Sequence, residues 1–244
     1  MLVLFSCCAL ALGACGSSSS SSGATPPQSS DALVRFADGT PNLETLVNGV
    51  PEGLGNAYLQ FDSRTVASSF AYGTLTPFVV VPAGAHTLTA RDTLGYAVGP
   101  LQIGTLAAGK QYTLVVVGTF PKYSVLMFAE PAAGGAQLSL YEASPTVTQS
   151  GFGSFRASQH SGFTQLGTAT LGTVATVALG SGVTNFGGYA GSVTSHTGTY
   201  TPREINGFDK NNALPFHNAG RLSLFLFDPK QGSSIGPLFA SLDP

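Results

Sequence analysis

Cysteine is the residue type whose position in this 244-residue sequence most directly indicates a chemical reaction. The three cysteines are Cys7, Cys8 and Cys15, and Cys15 ends the segment Leu12-Gly13-Ala14-Cys15. An apolar residue three positions before a cysteine, small neighbours and a thiolate that can accept diacylglycerol are the pattern of a bacterial lipobox. The sequence therefore predicts lipidation of Cys15, with cleavage between Ala14 and Cys15.

The segments on either side of Cys15 suit such a signal, except that no Lys or Arg precedes the apolar run. Residues 1–14 are apolar apart from Ser6 and Gly13, which suits a signal-peptide core and is too short to span a bilayer. Residues 15–30 contain six consecutive serines and a Pro-Pro pair, which predicts a flexible linker. The alternative is a short buried segment that happens to end in cysteine.

The remaining residues that could hold a metal lack the necessary spacing. His86, His160, His196 and His217 form no i, i+2 or i, i+4 pair, and no cysteine follows Cys15. Asp209-Lys210-Asn211-Asn212 resembles only a fragment of a calcium loop. We therefore predict no metal, no cofactor and no disulfide, and for His86 a structural role at the edge of a sheet.

The acidic residues and the glycine-rich segments indicate no enzyme class. Twelve carboxylates are scattered, and Asp38, Asp62, Asp92 and Asp228 are expected in turns because Asp side chains bond the local backbone. The chain has no G-x-S-x-G elbow, no P-loop and no G-x-G-x-x-G segment. The prediction is a protein that is not an enzyme; carboxylates or histidines brought together only in space are the alternative.

Composition indicates an all-β fold. Charged residues make up 9% of the chain and hydrophobic residues 43%, with 31 Gly and 16 Phe. Few residues suit exposed helix faces, whereas Val, Thr, Phe and Tyr suit strands. The net charge of −2 argues against nucleic-acid binding and against an anionic membrane surface, so membrane contact must come from a lipid or apolar residues.

Strand patterns recur at a spacing of about ten residues, which is typical of a sandwich of antiparallel sheets. Strands are expected at residues 32–37, 57–61, 78–81, 112–118, 152–156 and 173–179, and a hairpin at 221–227 and 235–242. The apolar run 78–81 suits a strand that is covered on both faces.

Three segments carry a resemblance to a known family. They are Phe70-Ala71-Tyr72-Gly73, Val81-Pro82-Ala83-Gly84-Ala85-His86-Thr87-Leu88 and Leu106-Ala107-Ala108-Gly109-Lys110-Gln111-Tyr112-Thr113-Leu114-Val115-Val116-Val117-Gly118. Their order resembles the bacterial DUF4397 family, a domain of unknown function, over about residues 31–130. The resemblance implies an immunoglobulin-like sandwich in the cell envelope and no catalytic residues.

A second domain is expected after the segment Pro131-Ala132-Ala133-Gly134-Gly135. Residues 136–145 echo the first strand and turn, including an Ala-Ser-Pro element. We therefore predict two tandem immunoglobulin-like antiparallel β-sandwich domains, at residues 31–130 and 136–244, after the signal peptide and linker. A single large sandwich is the alternative.

The functional expectation is a non-catalytic lipoprotein, lipid-anchored to the outer membrane or cell surface on its extracytoplasmic side. Its partners would be an envelope protein or a polysaccharide. An adhesin or polysaccharide-binding protein is the second hypothesis, recognisable by an exposed aromatic strip. Phe152, Phe155, Phe163 and Phe186 are nevertheless assigned to core packing, since the chain has no Trp.

Overall fold

The computed structural model describes residues 30–132, 134–147, 150–154, 164–178, 186–190, 203–204, 220–230 and 238–243. These residues form strands, turns and bends, and none of them is helical. Accordingly, the described part of the chain contains no helix long and apolar enough to cross a membrane. The predicted all-β class is confirmed.

Ten strands lie in the N-terminal half, defined here as residues 31–129. They are β1 (Asp31–Asp38), β2 (Glu44–Val47), β3 (Val50–Gly53), β4 (Ala57–Phe61), β5 (Arg64–Phe70), β6 (Val79–Pro82), β7 (Thr87–Arg91), β8 (Ala97–Gln102), β9 (Gln111–Thr119) and β10 (Lys122–Ala129).

Eight strands are described in the C-terminal half, residues 136–243. They are β11 (Ala136–Glu142), β12 (Ser150–Ser154), β13 (Thr164–Ala169), β14 (Val174–Ala178), β15 (Phe186–Ala190), β16 (Arg203–Glu204), β17 (Gly220–Leu226) and β18 (Leu238–Asp243). The predicted hairpin is present, because β17 pairs antiparallel with β18.

The two halves repeat one sheet topology strand for strand. The N-terminal half forms sheets of order β10-β9-β1-β6 and β5-β4-β7-β8. The C-terminal half forms sheets of order β18-β17-β11-β14 and β13-β12-β15-β16, which are the same orders with each strand replaced by its counterpart. The hairpin β2-β3 has no counterpart among the described strands of the C-terminal half.

The sheets depart from the antiparallel expectation at two equivalent places. β1 pairs with β9 in parallel, and β11 pairs with β17 in parallel, whereas the other described pairs are antiparallel. A parallel pair needs a long connection, and here the intervening strands of the same half supply it. In each half the first strand is thereby enclosed between two neighbours.

Three apolar cores arrange the sheets in four layers. One core lies between the two sheets of the N-terminal half, and a second occupies the same position in the C-terminal half. The third joins the halves, because side chains from β1, β9 and β10 pack against side chains from β11 and β17. The inner sheets are therefore buried on both faces, which explains the continuous burial of β1 from Val34 to Asp38.

Alternation along β1 divides its side chains between two cores. Val34 and Phe36 face the core of their own half, whereas Ala37 belongs to the core that joins the halves. The apolar run at residues 78–81, which was expected to be a strand covered on both faces, forms β6. β6 is an edge strand whose Val79 and Val80 are half-buried, so it is not covered on both faces.

Candidate functional site

The most enclosed charged cluster lies where the two halves meet. Glu130, 2% exposed, follows β10 and accepts hydrogen bonds from both halves. Its Oε1 accepts from Arg35 Nη2 at 3.1 Å and from Thr113 Oγ1. Its Oε2 accepts from Tyr141 OH at 2.6 Å and from Arg221 Nη2. One carboxylate thus joins β1 and β9 to β11 and β17.

The Arg35 guanidinium is held by this cluster and by aromatic rings. Its Nε donates to Thr113 Oγ1 at 2.7 Å. Its Cζ lies 4.8 Å from the centroid of the Phe78 ring and 5.4 Å from that of Phe225, within the range of a cation–π contact. Burial and the nearby Glu130 charge raise the pKa of Tyr141, so its hydroxyl stays a donor. Each oxygen of Glu130 thus accepts two hydrogen bonds from within the fold.

An acidic motif is repeated at the end of the first strand of each half. In the N-terminal half, the Asp38 carboxyl Oδ1 accepts from Thr40 N at 2.9 Å and from Thr40 Oγ1 at 2.6 Å. At the equivalent place, Glu142 Oε1 accepts from Ser144 N at 2.9 Å. The predicted echo between residues 32–41 and 136–145 therefore includes a shared hydrogen-bond pattern.

The turn that meets each acidic residue is repeated as well. Gly73 N donates to Asp38 O at 2.8 Å, and Gly172 N donates to Glu142 O at 2.9 Å. The two glycines have φ values of 81° and 78°, which favour glycine. Thr74, the residue after Gly73, closes its turn with the same bonds that Thr173 makes after Gly172.

Burial gives the two acidic side chains high pKa values. Desolvation raises the pKa of Asp38 to about 6, although the two Thr40 hydrogen bonds act in the opposite direction. Desolvation likewise raises the pKa of Glu142 to about 7. Asp38 was predicted in a turn; it is the last residue of β1 and is 1% exposed, and its side chain makes the expected local bond to the backbone N–H of Thr40.

Glu142 has one oxygen that the described chain leaves without a hydrogen bond. Glu142 Oε2 and Ser150 Oγ are both buried and unpaired among the described residues. Ser150 lies near enough to lower the pKa of Glu142 without making a hydrogen bond of good geometry. A proton on Oε2 would satisfy both atoms, because it could be donated to the serine oxygen.

Asp228 was also predicted in a turn, and it is 3% exposed. Its Oδ1 accepts from Ser144 Oγ at 2.5 Å, from Thr146 Oγ1 at 2.8 Å and from Thr146 N at 3.1 Å. Its backbone oxygen accepts from Tyr72 OH at 2.5 Å. The Asp228 side chain therefore fixes the loop after β11, and its backbone oxygen ties the segment after β17 to the N-terminal half.

A cleft of about 270 Å³ opens beside Asp38. Its wall is formed by the loop after β1, the stem of the β2-β3 hairpin and the turn after β5, with Lys230 from the C-terminal half. Lys230 is exposed, and its Nζ lies 5.2 Å from the centroid of the Tyr72 ring. A second cleft, of about 360 Å³, adjoins it and shares Pro41 and Asn42.

The other residues singled out from the sequence are placed as follows. His86 is 9% exposed, contacts Asp62 Oδ2 and Pro82 O at 2.9 Å each, and packs at a tilt against the Phe61 ring, which suits the predicted structural role. Asp62 and Asp92 lie in turns, as predicted. Phe152 is a fully buried core residue.

The remaining predicted positions lie outside the described residues or carry no described side chain. The following lie outside the described residues: the signal peptide, the linker up to Ser29, Cys15 and the other two cysteines, three of the histidines, Phe155, Phe163 and the calcium-like fragment. For Phe186, only the backbone is described. Within the described ranges, no group of three His, Cys, Asp or Glu side chains could hold a metal ion.

The Glu130 cluster and the cleft were missed by sequence reasoning. Arg35 gave a signal, because a charge in the middle of an apolar strand that is buried on both faces requires a partner. Nothing in the local sequence identified Glu130 as that partner, since 95 residues separate the two.

Comparison with known proteins identifies the N-terminal half. Residues 32–149 match the model of one family, described as "Domain of unknown function (DUF4397)". The matched range covers β1 to β10 and continues through β11, past the predicted boundary at 130. No curated protein matches the chain. The chain therefore contains a DUF4397 domain, which spans residues 32–149.

Proposed function

We propose that this chain is a lipid-anchored cell-envelope protein whose folded body acts as a non-catalytic structural or interaction module. The observation that carries the proposal is the segment Leu12-Gly13-Ala14-Cys15 followed by a serine-rich spacer. β1 begins at Asp31, so the spacer joins the lipidation site directly to the folded body. The protein would lie on the extracytoplasmic side, at the outer membrane or the cell surface.

The arrangement of the body supports a non-catalytic role. Glu130, whose side chain is 2% exposed, joins the two halves, and Asp228 fixes a loop. We further propose that the halves are two tandem immunoglobulin-like domains, which the repeated strand order and the repeated acidic motif support. Loops and sheet edges would then be the surfaces offered to an envelope protein or a polysaccharide.

The anchoring proposal predicts a specific effect of Cys15→Ser. The variant should lose incorporated palmitate and should move from the detergent phase of a bacterial lysate to the aqueous phase, because the thioether that carries the lipid cannot form. Mass spectrometry of the membrane fraction should find a mature N-terminus at Cys15 in the unchanged protein.

Cys8→Ser is the matched control, since Cys8 lies in the segment that cleavage removes. It should leave both palmitate labelling and membrane association unchanged. An unlipidated protein that begins at Met1 and is found in the cytoplasm would contradict the proposal.

Polysaccharide binding is the second candidate function. The exposed large apolar side chains of the described residues are aliphatic: Leu46, Val50, Leu94 and Leu171. Because sugars stack on aromatic rings, these residues favour a protein partner over a polysaccharide. A glycan array probed with the full-length protein distinguishes the two, since reproducible binding to one class of polysaccharide would favour the second candidate.

A further inference from the structure

The two halves differ at one equivalent place, and that difference defines a site. In the C-terminal half, Ser150 begins β12 and lies beside the carboxyl of Glu142. In the N-terminal half, the residue that begins the equivalent strand β4 is Ala57, which has no polar group. The space beside Asp38 is accordingly an open cleft, lined by Asp38 and Ala57.

The cleft is lined by two residues of opposite charge, Asp38 and Lys230. The Asp38 carboxyl is buried in its wall, and both hydrogen bonds that the described chain donates to this carboxyl reach Oδ1. Lys230 is exposed, and its Nζ lies 5.2 Å from the centroid of the Tyr72 ring. Among the described residues, no ion pair joins Lys230 to Asp38.

The rest of the lining is mainly apolar. Leu43, Leu54 and Phe70 are buried at 8%, 3% and 1% exposure and contribute to this lining. A volume of about 270 Å³ lies just below the range of about 300 to 1,000 Å³ that holds drug-sized ligands. The cleft therefore fits a small molecule with charged groups of both signs and one apolar group.

We propose that this cleft binds a small zwitterion with an apolar side chain, namely an amino acid or a dipeptide. The ligand ammonium pairs with the Asp38 carboxylate, its carboxylate pairs with the Lys230 ammonium, and its side chain packs against Leu43 and Leu54. Pairing with an ammonium also offsets the desolvation of Asp38, which would otherwise carry a buried charge. The proposal does not depend on the lipid anchor.

Calorimetric titration of the full-length protein in mild detergent tests the proposal, with leucine and leucyl-leucine as the zwitterionic probes. Leucine or its dipeptide should bind at pH 7.5 about tenfold more tightly than 3-methylbutylamine or 4-methylpentanoate, each of which has one charge only. Affinity should fall at pH 5, because protonation of Asp38 removes its charge.

Two variants locate the binding. Asp38→Asn and Lys230→Ala should each weaken leucine binding about tenfold, and Asp38→Asn should also remove the pH dependence. Glu142→Gln is the matched control, because it makes the same kind of change at the equivalent position of the other half and should leave binding unchanged. Far-ultraviolet circular dichroism confirms that each variant is folded.

Two results would contradict the proposal in different ways. Absence of binding by both zwitterions, or equal binding by folded Asp38→Asn, would overturn the site. An amine that binds as tightly as leucine would overturn the part of the proposal that concerns the ligand carboxylate and Lys230.

Discussion

Buried acidic side chains are the residues with the clearest experimental consequence. Asp38 and Glu142 occupy equivalent positions, each accepts a hydrogen bond from the residue two positions on, and each is almost fully buried. Because burial penalises the charged form, both bind a proton more tightly in the folded protein than in the unfolded chain.

These pKa shifts predict how stability depends on pH. Between pH 3.8 and about 6 for Asp38, and between 4.5 and about 7 for Glu142, the folded state holds protons that the unfolded state has released. The free energy of unfolding should therefore be highest below these ranges and fall as pH rises to about 7. Glu142→Gln should flatten this decrease and raise stability at pH 8 by on the order of 2 kcal/mol.

Urea unfolding of both proteins at several pH values measures the effect. Asp62→Asn is the control, because Asp62 is 52% exposed and its pKa is lowered rather than raised. A free energy of unfolding that rises between pH 4 and 7 in the unchanged protein, and does so equally in Glu142→Gln, would contradict the prediction.

The buried carboxylate of Glu130 should also contribute to the stability of the fold. Glu130→Gln removes the negative charge that neutralises buried Arg35, which should lower the free energy of unfolding by about 3 kcal/mol. Glu52→Gln makes the same change on the exposed strand β3 and should alter stability by less than about 0.5 kcal/mol. Equal midpoints of denaturation for the two variants would show that the cluster does not stabilise the fold.

At the scale of elements, the hairpin β9-β10 depends on one glycine. Gly118 has a φ of 105°, and a Cβ added there would lie 2.3 Å from the backbone oxygen of Lys122. Gly118→Ala should therefore cost more than about 3 kcal/mol, since neither backbone segment can move without breaking the ladder.

Gly49 in the turn between β2 and β3 is a matched control. Its φ is 83°, but an added Cβ would have no atom within 4 Å. Gly49→Ala should cost only the strain of the backbone, about 1 kcal/mol. Thermal unfolding of both variants tests this comparison, and similar losses of stability would mean that the close approach at Gly118 is unimportant.

Sequence patterns predicted the positions of strands better than they predicted which strands pair. The period-2 alternation and the Gly and Pro turns gave β4 at its observed bounds and β9 within one residue at each end. They could not show that β1 pairs in parallel with β9, because alternation looks the same in parallel and antiparallel strands. The hairpin β2-β3 was missed, although its Asn48-Gly49 turn is a strong hairpin signal.

The buried acidic residues were also difficult to predict, because their burial depends on tertiary contacts. Asp residues favour turns, and Asp62 and Asp92 follow that rule. Asp38 and Asp228 adjoin strands whose ends are covered by other parts of the chain, so their burial depends on tertiary packing. The motif repeated in the two halves became visible only when the strand orders could be compared.

At the scale of the whole molecule, the core between the halves should make them unfold together. Phe128 and Val117 from one half pack with Tyr141 and Phe225 from the other, and Phe128 contacts Tyr141 edge-on at 5.5 Å. Urea denaturation of the full chain should therefore show one transition, monitored by both tyrosine fluorescence and circular dichroism.

Hydrogen exchange of Phe128→Ala tests this coupling. The variant should be less stable by about 3 to 5 kcal/mol, and amide exchange should increase in β11 and β17 as well as in β9. Glu52→Gln, on the exposed strand β3, is the control and should leave exchange unchanged in both halves. An increase confined to the N-terminal half in Phe128→Ala would show that the halves are independent.

The position of β1 has a mechanical consequence. β1 is the first strand after the serine-rich segment, and it lies between β6 and β9, paired along six residues with β9. Tension applied through the N-terminus pulls along this strand, so the bonds of both ladders bear the load together as shear and do not open one after another. A chain tethered at that end would thus resist drag at a strand that is held by a neighbour on each side.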